Sequence, residues 1–138
     1  MPIYCLEEFK KEFDKLSSKK NYKTLEKEII SYFSNKTAEE LSSGVRLNNS
    51  EHEPYIKKRL RGSGGFRFYF LLIIKNDKLY LMFVHPKTGP LGSSNITDDS
   101  KSMLYKKVLE AIKINDVYQM DLSGKSIVFT KEKSVVKK

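Results

Sequence analysis

Nine consecutive residues in the middle of the chain, Phe66-Arg67-Phe68-Tyr69-Phe70-Leu71-Leu72-Ile73-Ile74, are apolar at almost every position and show no polar–apolar alternation. Side chains of a strand point alternately to its two faces, so this run predicts a central strand, with helices burying it on one side. The polar turn Lys75-Asn76-Asp77 and a second strand, Lys78–His85, follow it and make a hairpin. Tyr55–Arg61 precedes it as another strand, whose alternation puts Tyr55, Lys57, Arg59 and Arg61 on one face. Ser63-Gly64-Gly65 between the two reads as a flexible bend.

Helical patterns flank these strands. Leu6, Phe9, Phe13 and Leu16 recur at three- to four-residue spacing, and Tyr22, Leu25, Ile29, Ile30 and Phe33 do so again after Ser17-Ser18 and Asn21. Residues 35–53 read mostly as loop, with a helical turn at Ala38–Leu41. Thr97 or Asp98 can cap a third helix with the inner stripe Met103, Leu104, Val108 and Ile112. Val117–Leu122 and Lys125–Thr130 close the chain as a hairpin, and Pro2–Cys5 is either a short first strand or a lead-in. The expected fold is α+β: an N-terminal helical hairpin on a mainly antiparallel sheet of four to five strands, then a third helix and a C-terminal hairpin. One domain spans residues 1–138, with 131–138 a mobile basic tail.

The charge pattern narrows function. The net charge is +9, and the excess is confined to residues 45–67 and 125–138, while the remaining segments are nearly balanced. Localised basic segments of this kind suit phosphate. A K/R-rich strand can also simply protect a sheet edge. The longest apolar run is too short to span a bilayer, the first residues do not read as a secretory signal, and a cytoplasmic protein without a membrane partner is expected. Cys5 is the single cysteine and the two histidines are widely spaced, so neither a disulfide nor a metal site is expected. Gly124-Lys125-Ser126 resembles the end of a phosphate-binding loop, but Gln119 stands where the earlier glycine is needed.

Cleavage of RNA through its 2′-hydroxyl needs a base, an acid and cations that stabilise a charged phosphorane. Lys57, Arg59, Arg61 and Arg67 can supply phosphate binding, since guanidinium groups fork onto phosphate oxygens. Lys57, crowded by other cations, can serve as base. His85 titrates nearest neutrality and can serve as acid or base, and Glu53 is a third candidate base. Lys58 and Lys131 add positive charge for RNA binding, and Tyr69 is the plausible base-stacking platform in an otherwise core-forming aromatic run.

These segments, in this order, resemble the RelE superfamily of bacterial toxins, which includes RelE and HigB. The resemblance covers roughly residues 6–112. Tyr55-Ile56-Lys57-Lys58-Arg59-Leu60-Arg61 matches the family's basic strand, and Gly65-Phe66-Arg67-Phe68-Tyr69-Phe70 its G-Y-R strand. Val84-His85-Pro86-Lys87-Thr88 matches the strand that ends near a basic residue. The resemblance implies a type II toxin that cuts mRNA on the ribosome by 2′-OH transesterification, needs no cofactor and is neutralised by a cognate antitoxin. It places Lys57, Arg59, Arg67 and Lys87 at catalytic positions. The sequence departs from the pattern at Gly89-Pro90-Leu91-Gly92, where a charged stretch is usual. Phe129 and Lys131 stand where several members carry a catalytic Tyr or His. A ParE-like inhibitor of gyrase and a non-catalytic RNA- or ribosome-binding module are the alternatives.

Overall fold

The computed structural model describes residues 1–60, 65–87 and 96–134. Seven strands form one mixed sheet: β1 (Ile3–Cys5), β2 (Val45–Arg46), β3 (Tyr55–Leu60), β4 (Phe66–Ile73), β5 (Lys78–Pro86), β6 (Tyr118–Asp121) and β7 (Val128–Lys131). Their order across the sheet is β2-β3-β4-β5-β1-β6-β7. The sheet thus exceeds the four to five strands expected. Two short strands account for the difference: β2, in a stretch read as loop, and β1, which lies in the sheet interior, parallel to β5 and antiparallel to β6.

The helices are α1 (Glu7–Ser17), α2 (Leu25–Phe33), the short α3 (Ala38–Leu41) and α4 (Asp98–Ile114). A 3-10 turn at Lys20–Tyr22 separates α1 from α2, which takes the place of the continuous second helix expected from Tyr22. Thr37 and Glu40 form a reciprocal cap on α3. Thr97 caps α4, its hydroxyl accepting from the Ser100 backbone N–H at 3.1 Å, and Asn115 ends the helix in the left-handed conformation.

The central strand β4 explains the layering. Phe66, Phe68, Phe70 and Leu72 join one core with Phe9, Phe13, Leu16, Leu25, Ile29 and Phe33 of α1 and α2. Tyr69 and Leu71 point the other way, into a second core with Tyr55, Tyr80, Met82, Leu104 and Val108, on the side of α4. Helices therefore cover both faces of the strand, where cover on one side was expected. Within α4 the buried stripe is Leu104, Val108 and Ala111, whereas Met103 is 58% exposed. Phe33 locks α2 to the sheet, edge-on to Phe68 at 5.4 Å and to Phe70 at 5.6 Å.

Two local features shape the basic region. Gly44 lets β2 approach β3: a Cβ there would lie 2.6 Å from both Ile56 Cγ2 and the Lys57 carbonyl oxygen. Between Tyr69/Phe83 and Phe70/Leu81 the β4–β5 register shifts by one, so β5 carries an extra residue. Met82 and Phe83 consequently both belong to the α4 side, and Val84 returns to the α1–α2 core.

Candidate functional site

Antiparallel register brings the basic residues together. Arg59 of β3 is directly opposite Arg67 of β4, and Arg67 is opposite His85 of β5. Lys57, Tyr69 and Phe83 form the neighbouring row. Directly opposed side chains have Cβ atoms about 4.5–5.5 Å apart, and like charges there are destabilising. A row that opposes two guanidinium groups therefore has a standing attraction for an anion.

The row grades from surface to interior. Arg59 is exposed and Lys57 half-buried, whereas Arg67 and His85 are only 8% and 5% exposed. His85 Nδ1 lies 3.3 Å from the Pro86 carbonyl oxygen, which can only accept, so Nδ1 carries the proton and Nε2 the lone pair of the neutral ring. The imidazole stacks on Tyr69, with ring centroids 5.9 Å apart and planes 14° apart, and also borders Phe83. Burial lowers the His85 pKa, the Pro86 carbonyl opposes that shift, and the charges of Arg67 and Lys57 lower it further. His85 is thus held neutral at physiological pH.

The ammonium of Lys57 is also pushed below its ordinary pKa, chiefly by burial and then by Lys101, Arg59 and Arg67. Lys101 belongs to α4 and pairs with Asp98 at 3.6 Å. The Tyr55 hydroxyl donates to the Lys101 carbonyl at 3.1 Å and so ties α4 to β3 beside Lys57. Neither Lys101 nor Tyr55 was among the residues expected at the site; their i, i+46 proximity is created by packing and leaves no local signal.

The remaining expected residues divide. Lys87 follows β5; its backbone N–H donates to the Gly65 carbonyl at 3.1 Å, and its side chain passes Gly65, whose φ of +77° favours glycine. Tyr69 is fully buried, so its ring stacks on His85 and is not offered to a base, a correction of the expected role. Lys58 points to the opposite layer, donating to Ser43 Oγ at 3.4 Å with its ammonium 5.7 Å from the Tyr32 ring centre. Lys131 lies on β7, five strands from β3, a separation of about 24 Å at the usual strand spacing. It pairs there with Asp116. Lys58 and Lys131 are thus not brought to the row. Glu53 is exposed in the loop before β3. Arg61, Gly64, the Gly89–Gly92 departure and residues 135–138 of the basic tail lie outside the described residues.

Among the described residues, no group of three His, Cys, Asp or Glu side chains is placed to hold a metal ion, and no helix is long and apolar enough to cross a membrane. Cys5 is buried and its thiol pKa is pushed up by that burial, which makes it a poor nucleophile. No protein-family model matches the chain, and comparison with curated proteins gives no match.

Proposed function

We propose that the chain is an RNA-cleaving toxin of the RelE type, acting on mRNA at the ribosome and neutralised by an antitoxin that covers its basic face. The observation that carries this is the Arg59–Arg67–His85 row with Lys57 beside it. The resemblance points to Lys57, Arg59 and Arg67 from sequence order alone, and their pairing in register on one face, beside the independently chosen His85, supports the reading. The order α1, α2, β3, β4, β5, α4 also follows the order of elements that the resemblance implies.

In this mechanism Arg59, Lys57 and Lys101 hold the phosphate from the surface, with Lys87 flanking the row. Lys57, its proton loosened by burial and then by its cationic neighbours, takes the 2′-hydroxyl proton in its neutral form. The 2′-oxygen attacks the adjacent phosphorus and the P–O5′ bond breaks. The leaving 5′-oxygen takes a proton from the Lys87 ammonium or water, giving a 2′,3′-cyclic phosphate and a 5′-hydroxyl. Arg67 and His85 sit behind this front. Arg67 adds positive potential where the phosphorane charge develops, and His85 keeps the inner end of the row uncharged. The deep burial of His85 and Arg67 favours one second reading, an RNA-binding module without cleavage.

Primer extension on mRNA in a translating extract separates the two. Toxin activity gives new 5′ ends that require ribosomes and fall about 10²–10³-fold with Arg67→Ala, the usual loss for one transition-state donor. Ribosome binding with intact mRNA would refute the nuclease and leave the binding module.

A further inference from the structure

A cleft of about 460 Å³ opens between α4 and the segment after β2, lined by Leu47, Asn48, Tyr55, Lys101, Tyr105 and Lys106 among others. Its size falls within the roughly 300–1,000 Å³ of small-ligand sites. None of the roles assigned above explains it. Its walls are firmly tied. Asn48 donates to the Glu53 carbonyl at 3.0 Å and accepts from the Tyr55 N–H at 2.9 Å. The Leu47 N–H donates to the Tyr55 carbonyl at 2.7 Å.

Tyr55 and Tyr105 are stacked, with centroids 5.6 Å apart and planes 8° apart. Near-parallel rings at that centroid distance are slipped past each other, so part of the Tyr105 face is left uncovered. Tyr105 is half-buried and Lys106 exposed, so both are open to a ligand. Asp98 also lines the cleft, but Lys101 faces it at 3.6 Å. An uncovered aromatic face beside two ammonium groups is the combination that binds unpaired nucleotides: the ring takes a base and the cations take its phosphate. Lys101 bridges the two places, since its charge acts on Lys57 of the basic row while its side chain lines the cleft.

We propose that this cleft is a subsite for one unpaired nucleotide of an RNA strand crossing the basic face, with its base laid along Tyr105 and its phosphate held by Lys101 and Lys106. The proposal rests on the RNA reading given above but not on cleavage. It gives α4 a direct part in ligand contact: one side of the helix packs on the sheet, and the stripe at Lys101, Tyr105 and Lys106 borders the strand's path.

The test uses the full chain and a fluorescent single-stranded RNA 2′-O-methylated throughout, which blocks cleavage, with affinity read by anisotropy. Tyr105→Ala should weaken binding about tenfold or more, as expected for the loss of one base stack. Tyr105→Phe should stay near wild type. Lys106→Ala, a surface change that spares the Tyr55 stack, should also weaken binding and flatten its salt dependence. A set of oligonucleotides, each with one abasic position, identifies the stacked base: one position should cost the wild type affinity but cost Tyr105→Ala nothing more. An equal loss for Tyr105→Ala on every abasic oligonucleotide would mark the residue as structural and overturn the subsite. RNA binding abolished by Lys57→Gln with Arg59→Gln but untouched by Tyr105→Ala and Lys106→Ala would remove the subsite alone. No binding by the wild type would remove the RNA reading with it. A poly-glutamate peptide whose binding, unlike that of RNA, depends on Tyr105 would assign the cleft to a protein partner and refute the proposal.

Discussion

The salt dependence of RNA binding tests the basic face quantitatively. Lys57 and Arg59 share one side of the sheet near its surface, and Lys101 and Lys106 of α4 border the same strand path, which makes four cations open to RNA while Arg67 is buried behind them. Each phosphate neutralised on a single strand contributes about −0.7 to the slope of log K against log salt, so four contacts give about −2.8. Raising KCl from about 50 to about 200 mM should then weaken wild-type binding about 50-fold. The neutral double variant Lys57→Gln with Arg59→Gln removes two contacts, which leaves a slope of about −1.4 and a loss of only about sevenfold over the same range. The assay is anisotropy of the 2′-O-methyl oligonucleotide across a KCl series, with circular dichroism to verify folding. The double variant Lys58→Gln with Lys131→Gln is the matched control, because it removes the same two charges from places away from the row. If the row variant keeps the wild-type slope, the row does not hold the phosphates; if the control double variant lowers the slope equally, the effect comes from net charge. The Lys57–Arg59 row would then not be the face that binds RNA.

Other outcomes follow from the same geometry. His85 has a lowered pKa, so below about pH 6.5 the unfolded chain binds a proton that the folded chain resists. Stability should therefore fall as pH drops through 6.5 and on towards the folded pKa. Urea midpoints at about pH 8 and pH 5 should differ less in His85→Gln than in the wild type, and NMR titration should show His85 protonating below the ordinary imidazole range. Gly44→Ala places a methyl against the Lys57 carbonyl and should cost about 1–3 kcal/mol or detach β2, seen as a lower Tm and faster amide exchange at Ile56 and Lys57. Phe33→Ala empties the junction with Phe68 and Phe70 and should cost about 3–5 kcal/mol in urea unfolding; a loss below 1 kcal/mol would mean that α2 is not held there.

What the sequence made legible is what strand period and turn chemistry encode. The hairpin of β4 and β5 across Lys75-Asn76-Asp77, the shared face of Lys57 and Arg59, and the Thr97 cap all follow from local residues. The meeting of Arg59 and Arg67 was anticipated only through the family pattern, since register between strands depends on pairing across the Gly-rich bend, and the place of His85 opposite Arg67 was not anticipated. The layer that α4 covers was not legible. Its periodicity identifies a helix, but a stripe spaced by three and four does not say which sheet face it covers, and Met103 was misplaced for that reason. β1 was ambiguous because three residues carry too little pattern, and its place between β5 and β6 is decided by long-range pairing. Tyr69 reads as a stacking platform only while the cover over it is unknown.

The extra residue in β5 works as a parity switch. Up to Leu81 the strand sends odd-numbered side chains into the α1–α2 core; beyond the shift at Met82 and Phe83, even-numbered ones go there. His85 owes its position beside Arg67 to that change of phase, because unbroken alternation from Leu81 would have sent it among the phenylalanines and put Val84 in its place. A strand of this kind has its length fixed by chemistry at one end and by packing at the other. Removing Met82 would abolish the bulge and leave Phe83, Val84 and His85 opposite Tyr69, Phe68 and Arg67, whereas removing or inserting one residue between Phe83 and His85 would exchange layers for the side chains beyond it. Loss of Met82 would thus spare the row, while a single-codon insertion or deletion between Phe83 and His85 would dismantle the row and the core together.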